Sequence, residues 1–219
     1  MIYYILLFAI FLFPSFSYAI TIDEVLKNME IAQDKLISMN TNILEEISVQ
    51  GIPEKQILEG RFILKKPDKM YVEFTKPTSQ IIVSNGKTIW MYARELNQVV
   101  KQEISDKSGK LPYFMEFERS FKVIADNFNT QFIREEKVNG KDTCVIEFIP
   151  KQNAVGDFKM VSWISKELWL PVQIKITDTN SSELLVIFKD IQLNKTIDSS
   201  VFEFKIPQGV EVVEAKLFE

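Results

Sequence analysis

The segment from residue 79 to residue 92, SQIIVSNGKTIWMY, constrains the fold of this 219-residue chain more than any other. Its Asn85-Gly86 pair lies between two apolar runs and predicts a β-hairpin with a two-residue turn. The predicted pairs are Ile82 with Ile89 and Gln80 with Met91 on one face, and Val83 with Thr88, Ile81 with Trp90 and Ser79 with Tyr92 on the other. A hairpin with one wet face alternates between apolar and polar side chains, but this one is apolar on both faces. Something other than water must therefore cover each face.

Two further strands are predicted just before this hairpin. From residue 61 to residue 75 the odd-numbered positions are mostly polar, whereas the even-numbered ones include Phe62, Leu64, Met70, Val72 and Phe74. Period-two alternation places these five apolar side chains on one face of the sheet. The polar tripeptide Lys66-Pro67-Asp68 separates the two strands.

Most of the remaining chain also has strand patterns. An Asn139-Gly140 turn predicts a second hairpin, and one face of its second strand carries Cys144, Ile146 and Phe148. Further strands are predicted at 98–103, 158–165, 169–177, 184–193, 201–206 and 210–213. In all, we expect ten to eleven strands, most of them antiparallel.

Two segments have helical periodicity. The first begins at a capping box, Thr21-Ile22-Asp23-Glu24, and its apolar stripe continues to about residue 39. The second begins near residue 111, and its stripe consists of Phe114, Phe117, Phe121, Ile124 and Phe128. This stripe fits an ordinary helix that faces the core, but four phenylalanines on one face also fit the underside of a lid.

These elements together predict a mainly β fold with a helical lid. A sheet of this length curls, and helices from the same chain can cover only one of its faces. We therefore predict an incomplete, half-open antiparallel β-barrel of about eleven strands around an apolar interior. The interior is either packed solid or open to a ligand. The surplus of Phe and Met at the lid and the interior favours a space that adapts to a flexible apolar ligand.

The first nineteen residues have the pattern of a signal peptide. They carry no charged side chain and end in Ser17-Tyr18-Ala19, a sequence of the type that signal peptidase cleaves. An uncleaved membrane anchor is the alternative, but Pro14 and an apolar run of about twelve residues favour cleavage, because a spanning helix needs roughly twenty. We expect residues 1–19 to be removed and residues 20–219 to form one exported domain. That domain begins at Ile20, and a lipid-anchored protein would have a cysteine at this first position.

The composition excludes most kinds of active site. The chain has no histidine and a single cysteine, Cys144, so it lacks the residues of Ser-His and Cys-His catalysis, of His-ligated metal sites and of CxxC redox sites. A net charge of -4 without a basic stripe argues against nucleic acid as a partner. A carboxylate pair is the one enzymatic arrangement left, and no Trp-rich sugar subsite accompanies any acidic residue. We expect a monomer without catalysis, cofactor or metal.

Three segments resemble the LolA family of lipoprotein carriers. They are GRFILKKPDKMYVEFTKP at 60–77, IIVSNGKTIWMYARELNQV at 81–99 and VFEFKIPQGVEVVE at 201–214. The resemblance covers essentially residues 20–219, and its motifs are typical of the LolA/LolB-like superfamily without separating its members. The missing lipid-anchor cysteine argues against the LolB type. Two hundred residues leave no room for the second domain of the sigma-factor regulators that share this fold.

The resemblance implies a periplasmic carrier. Its cavity would take the acyl chains of a lipoprotein from an inner-membrane ABC transporter and pass them to an acceptor at the outer membrane. At about 0.8 kcal/mol per methylene, exposure of one C16 chain to water costs roughly 12 kcal/mol of free energy, so a carrier must shield the chain. A lipid- or lipoprotein-sensing regulatory module of the same fold is the alternative, and a carboxylate hydrolase is the third hypothesis.

The resemblance also implies where the site lies. The predicted cavity wall consists of Phe62, Leu64, Met70, Val72, Phe74, Ile82, Ile89 and Met91, and the predicted lid of Phe114, Phe117, Phe121, Ile124 and Phe128. The family's arginine that latches the lid falls on Lys66, which has an ammonium in place of the planar guanidinium. The next functional aromatic of the family falls on Met70. The alternative for Lys66 is a solvated lysine beside Lys65.

Overall fold

The computed structural model describes residues 20–104, 127–151 and 158–214. Within them one α-helix, α1 (Ile22–Lys35), precedes the strands, and a short 3-10 helix occupies Ser199–Phe202. The twelve strands are β1 (Ser38–Ser48), β2 (Gln56–Lys65), β3 (Lys69–Lys76), β4 (Gln80–Asn85), β5 (Thr88–Ala93), β6 (Gln98–Glu103), β7 (Phe128–Val138), β8 (Lys141–Pro150), β9 (Phe158–Ser165), β10 (Pro171–Asp178), β11 (Glu183–Leu193) and β12 (Glu211–Glu214).

All twelve strands belong to one sheet. Their order is β12-β6-β5-β4-β3-β2-β1-β11-β10-β9-β8-β7, and neighbours are antiparallel except for β12 and β6, which are parallel. The edge strands β12 and β7 do not pair with each other, so the sheet is not closed. The predicted fold class, a mainly β half-open barrel with a helical cover, is confirmed, with twelve strands instead of about eleven.

The predicted capping box begins α1. Thr21 is the N-cap, and its hydroxyl accepts a hydrogen bond of 3.3 Å from the backbone N–H of Glu24. Asp23 and Glu24 also place negative charge at the positive end of the helix dipole. Val25 and Met29 are buried against the sheet one turn apart. The sheet face that α1 contacts is called the inner face below, and the opposite one the outer face.

The helix ends at Lys35, and the prediction that it continues to about residue 39 is wrong. The backbone N–H groups of Ile37 and Ser38 both donate to Oδ1 of Asn194, at 2.8 and 3.3 Å. Because these donors bond to a residue far along the chain, they cannot bond to carbonyls of the preceding turn. Ser38 instead opens β1, which pairs with β2 and β11.

The β4–β5 hairpin forms where it was predicted, but its register differs. Ser84 pairs with Ile89, Val83 with Trp90 and Ile82 with Met91, two residues away from the predicted pairing. The turn is Gly86-Lys87, and the Asn85 side chain accepts bonds of 2.9 Å from the N–H groups of Lys87 and Thr88. Gly86 has φ +91°, which favours glycine. Because side chains alternate with period two, a shift of two leaves each on its predicted face.

Residues near the C-terminus cover the outer face of this hairpin. The Phe204 ring lies against Trp90 and Tyr92, with centroid distances of 6.1 Å to each. Phe202 is buried, in a 3-10 helix that packs against β3 and β4. The predicted strand at 201–206 is therefore wrong. The Asp198 carboxylate accepts a 2.9 Å bond from the N–H of Ser200 and starts the 3-10 helix in its place.

Candidate functional site

The inner face of β2 to β5 gathers most of the predicted cavity wall. Seven of the eight residues belong to one apolar cluster: Phe62, Leu64, Met70, Val72, Phe74 and Ile89 are buried, and Ile82 is half-buried against them. Met91, the eighth, is half-buried and pairs with Ile82 on the same face. Leu36 and Ala32, at the C-terminal end of α1, pack on this cluster. The sheet thus brings residues from four strands and the helix together.

A second apolar cluster continues the inner face over β8, β9 and β10. Its buried members on the sheet are Cys144, Ile146, Phe148, Met160, Ile164 and Ile174, and they pack against Val25 and Met29 of α1. Phe188 of β11 packs on both clusters, and its ring meets that of Phe62 edge-on at 6.4 Å between centroids. The two clusters therefore form one apolar surface across the sheet. The predicted site does not include these β8–β10 side chains, although the alternation of Cys144, Ile146 and Phe148 in the sequence indicates their shared face.

One residue of the predicted lid lies in the sheet. Phe128 is the first residue of β7 and not part of a helix, so its assignment to the helical stripe is wrong. Its ring lies 6.3 Å from that of Phe148 and 6.0 Å from that of Phe158, edge-on in both cases. These contacts favour the strand conformation over the helix that spacing alone predicted. The other lid residues, Phe114, Phe117, Phe121 and Ile124, lie outside the described residues.

Lys66 contacts the described helix. Its Nζ donates a 2.5 Å hydrogen bond to the backbone carbonyl of Gln33, in the last turn of α1. Its backbone N–H donates to the carbonyl of Ile37 at 2.9 Å. Lys66 is half-buried, and a fully solvated lysine would not make the contact of its ammonium with the Gln33 carbonyl. Neighbouring Lys65 turns elsewhere, because its Nζ donates to the carbonyl of Ile197 at 3.1 Å.

Glu45 is an acidic residue on the apolar inner face that sequence analysis missed. It is half-buried in β1, opposite Leu58 of β2 and Val186 of β11. Burial raises the pKa of its carboxyl from an ordinary 4.5 to about 7, because the charged form loses hydration. The signal was present in the alternation Ile43, Glu45, Ile47, where a carboxylate occupies an otherwise apolar stripe.

The other candidate chemical groups belong to the packing of the sheet. Cys144 is fully buried, and burial raises the pKa of its thiol, which makes it a poor nucleophile. Among the described residues no three acidic or cysteine side chains come close enough to hold a metal ion. Within the same ranges no helix has the length and apolarity needed to cross a membrane.

Curated relatives share the sequence pattern at low identity. An uncharacterized protein of Methanocaldococcus jannaschii, MJ0687, is 24% identical over 88% of this chain, which spans about half (54%) of that protein's length. An outer-membrane lipoprotein carrier protein of Nitrosomonas europaea is 24% identical, with 87% of this chain and 89% of that protein aligned.

Solved structures share the fold. An uncharacterized conserved protein of Thermus thermophilus superposes with a TM-score of 0.57 at 14% identity, over 88% of this chain and 98% of that one. A chain of the Pseudomonas aeruginosa MucA/MucB complex superposes with a TM-score of 0.52 at 10% identity, over 83% of this chain and 60% of that one. At these identities the likeness concerns the fold alone.

The apolar inner face and the half-open sheet agree with the family assignment from sequence. The family model described as outer membrane lipoprotein carrier protein LolA matches residues 48–205, which span β2 to β11. That match covers well over half of the chain, and the chain therefore belongs to the LolA family.

Proposed function

We propose that this protein is a carrier that shields the acyl chains of lipoproteins on its inner face. The observation that carries the proposal is the continuous apolar surface from β5 across to β8, on a sheet whose edges do not pair. A flexible acyl chain can enter between α1 and the sheet without breaking any strand pairing. The predicted cavity wall, from Phe62 to Met91, is the part of this surface nearest the Lys66 contact with α1.

The free energy at stake explains why a carrier is needed. Transfer of a C16 chain into water costs roughly 12 kcal/mol at about 0.8 kcal/mol per methylene. Spontaneous escape from one membrane to another is therefore very slow. A carrier must bind the chains about as well as a membrane does and must also release them. Its apolar surface therefore needs a movable cover that shields it from water when no chain is bound. A helix held by a few hydrogen bonds meets both requirements.

The family match and the signal-like first nineteen residues support the following route. The protein is exported through cleavage after residue 19, accepts cargo from an inner-membrane ABC transporter and delivers it to an outer-membrane acceptor. The names of curated relatives in Nitrosomonas europaea and other bacteria support the carrier role. The protein acts as a monomer and without a chemical step, since transfer needs only differences in affinity between donor, carrier and acceptor.

Native mass spectrometry of the protein purified from its own compartment tests the proposal. We expect bound lipoprotein or lipid, and N-terminal sequencing that begins at Ile20. An empty protein that also fails to bind a neutral apolar dye contradicts the carrier role. An N-terminus at Met1 contradicts export by cleavage and indicates a tethered protein.

A sensing module of the same fold is the second candidate, and a chain of the MucA/MucB complex shares that fold. A sensor and a carrier both bind an acylated ligand, but only a carrier passes it on. Loaded protein mixed with acceptor membranes distinguishes the two. Transfer of the ligand supports the carrier, and retention of the ligand with capture of a regulatory protein supports the sensor.

A further inference from the structure

Glu45 lies within an apolar part of the inner face. Its cross-strand neighbours, Leu58 and Val186, and its neighbours along β1, Ile43 and Ile47, all point to the same face. Ile43 is buried in the first apolar cluster, and Leu58 packs against that cluster. The carboxyl is thus placed where the proposed acyl ligand would lie.

No charged side chain of the flanking strands faces Glu45. The positions of β2 and β11 that share its face nearby are Gln56, Leu58, Gly60, Leu184, Val186 and Phe188. The charged residues near it, Glu46 of β1, Glu59 of β2 and Glu183 of β11, alternate to the outer face. Among the described residues Glu45 has neither a hydrogen bond nor an ion pair, whereas Glu46 pairs with Lys55 at 3.5 Å.

An unpaired carboxyl among hydrocarbon side chains destabilises its surroundings, since its charged form is poorly hydrated there. A ligand that brings a hydrogen-bond donor or a positive charge removes this cost. A ligand with a phosphate or carboxylate at the same depth increases it, because this stretch of the wall offers no basic side chain to an anion.

We propose that Glu45 is the polar contact of the ligand site and binds an amino group attached next to the acyl chains. The inference rests on the proposed function and narrows its ligand class. In a lipoprotein this group is the N-terminal amine of a chain that carries acyl groups but leaves its own nitrogen unacylated. The ammonium then donates a charge-assisted hydrogen bond to the carboxylate, inside a site that excludes water.

Two neutral-dye displacement series test this assignment. Nile red is displaced by dodecylamine or by dodecanol, which share one chain length and differ in the charge of the head group, each below its micelle-forming concentration. The proteins are the parental chain, Glu45→Gln and the control Glu46→Gln, which changes the adjacent carboxylate of β1 on the outer face. Thermal melting checks that all three are folded.

At pH 8 we expect the parental protein to bind dodecylamine about tenfold more tightly than dodecanol, as a charge-assisted bond would give. This preference should be lost in Glu45→Gln and kept in Glu46→Gln. Dodecylamine affinity should also rise from pH 5.5 to pH 8 in the parental protein and stay level in Glu45→Gln. The rise is expected because the carboxyl must lose its proton to pair with the ammonium.

Two results overturn the inference while the proposed function stands. One is an equal preference for dodecylamine in the parental protein and Glu45→Gln. The other is dodecanol binding as tightly as dodecylamine at pH 8, with a dodecanol affinity that falls as pH rises. That result would mean that the bound alkyl chain simply buries a neutral carboxyl. Failure of both ligands and of Nile red to bind overturns the inference and the proposed function together.

Discussion

At the scale of a single residue, a substitution of Ile82 tests whether the inner face is a ligand-binding surface or a packed core. It is half-buried on the inner face, while Ile81 beside it in β4 points to the outer face and pairs with Tyr92. We expect Ile82→Asp to lower the affinity for Nile red at least tenfold with the fold retained, because a charge at the edge of the cluster repels an apolar ligand while water still reaches it.

Ile81→Asp is the matched control, with the same substitution one position away. It should leave dye binding at the parental level, whatever it does to stability. Circular dichroism monitors the fold of both variants. Loss of the folded state in Ile82→Asp would indicate that the inner face is a solid core, since an unpaired charge in such a core unfolds small domains.

Lys66 fastens the end of α1 through one hydrogen bond to the Gln33 carbonyl. Lys66→Leu should cost about 1 kcal/mol of unfolding free energy, speed amide exchange in α1 and impair delivery of cargo to an acceptor. Lys66→Arg retains a donor and should slow loading by holding the closed state. Lys65→Leu, which removes the bond to Ile197, serves as control and should leave α1 unchanged. If both Lys66 variants load and deliver cargo at the rates of the parental protein, this lysine has only a structural role.

The carboxyl of Glu45 makes stability depend on pH. Its folded-state pKa, about 7, lies above the ordinary 4.5, so between these values the folded protein binds more protons than the unfolded chain. Stability should therefore fall as pH rises from 4.5 to 7 and level off above 7, by about 2 kcal/mol after allowance for partial exposure. Urea unfolding of Glu45→Gln should lack this fall. An identical fall in parental protein and variant would exclude Glu45 as its source.

At the scale of elements, the segment after the 3-10 helix acts as an outer cover for β4 and β5. Phe204 supplies the ring that lies on Trp90 and Tyr92. Phe204→Ala should destabilise the protein by about 2 kcal/mol, since the ring is only half-buried, without changing the affinity for Nile red. Ile206→Ala, at a position 45% exposed, should cost much less. Reduced dye affinity in folded Phe204→Ala would show that the two faces are coupled.

At the scale of the whole molecule, the sheet and its helical cover should respond differently to a ligand. The strands are held by cross-strand hydrogen bonds along the entire sheet, whereas α1 is held by apolar contacts and by hydrogen bonds at its C-terminal end, from Lys66 to Gln33 and from Asn194 to Lys35. Hydrogen exchange should therefore be faster in α1 than in β1 and β2 of the empty protein. Loading with dodecanol should slow exchange in α1 most. Equal protection of helix and strands in both states would assign α1 to a fixed core.

The sequence by itself determined the features that depend on near neighbours. Alternation with period two assigned Met70, Val72 and Phe74 to one face. It also kept Ile82 and Ile89 on a shared face although the hairpin register was wrong, because a shift of two preserves the face. The capping box located the start of α1, since its hydrogen bond joins residues three positions apart. These are contacts whose geometry the local backbone sets.

Only the tertiary structure decided the features that depend on distant partners. Asn194 ends α1 from more than 150 positions away, and Phe204 covers a hairpin that precedes it by over 110 residues. The raised pKa of Glu45 likewise requires the apolar residues that β2 and β11 place beside it. No local pattern encodes these contacts, because the free energy that forms them comes from burying side chains that meet only when the sheet has assembled.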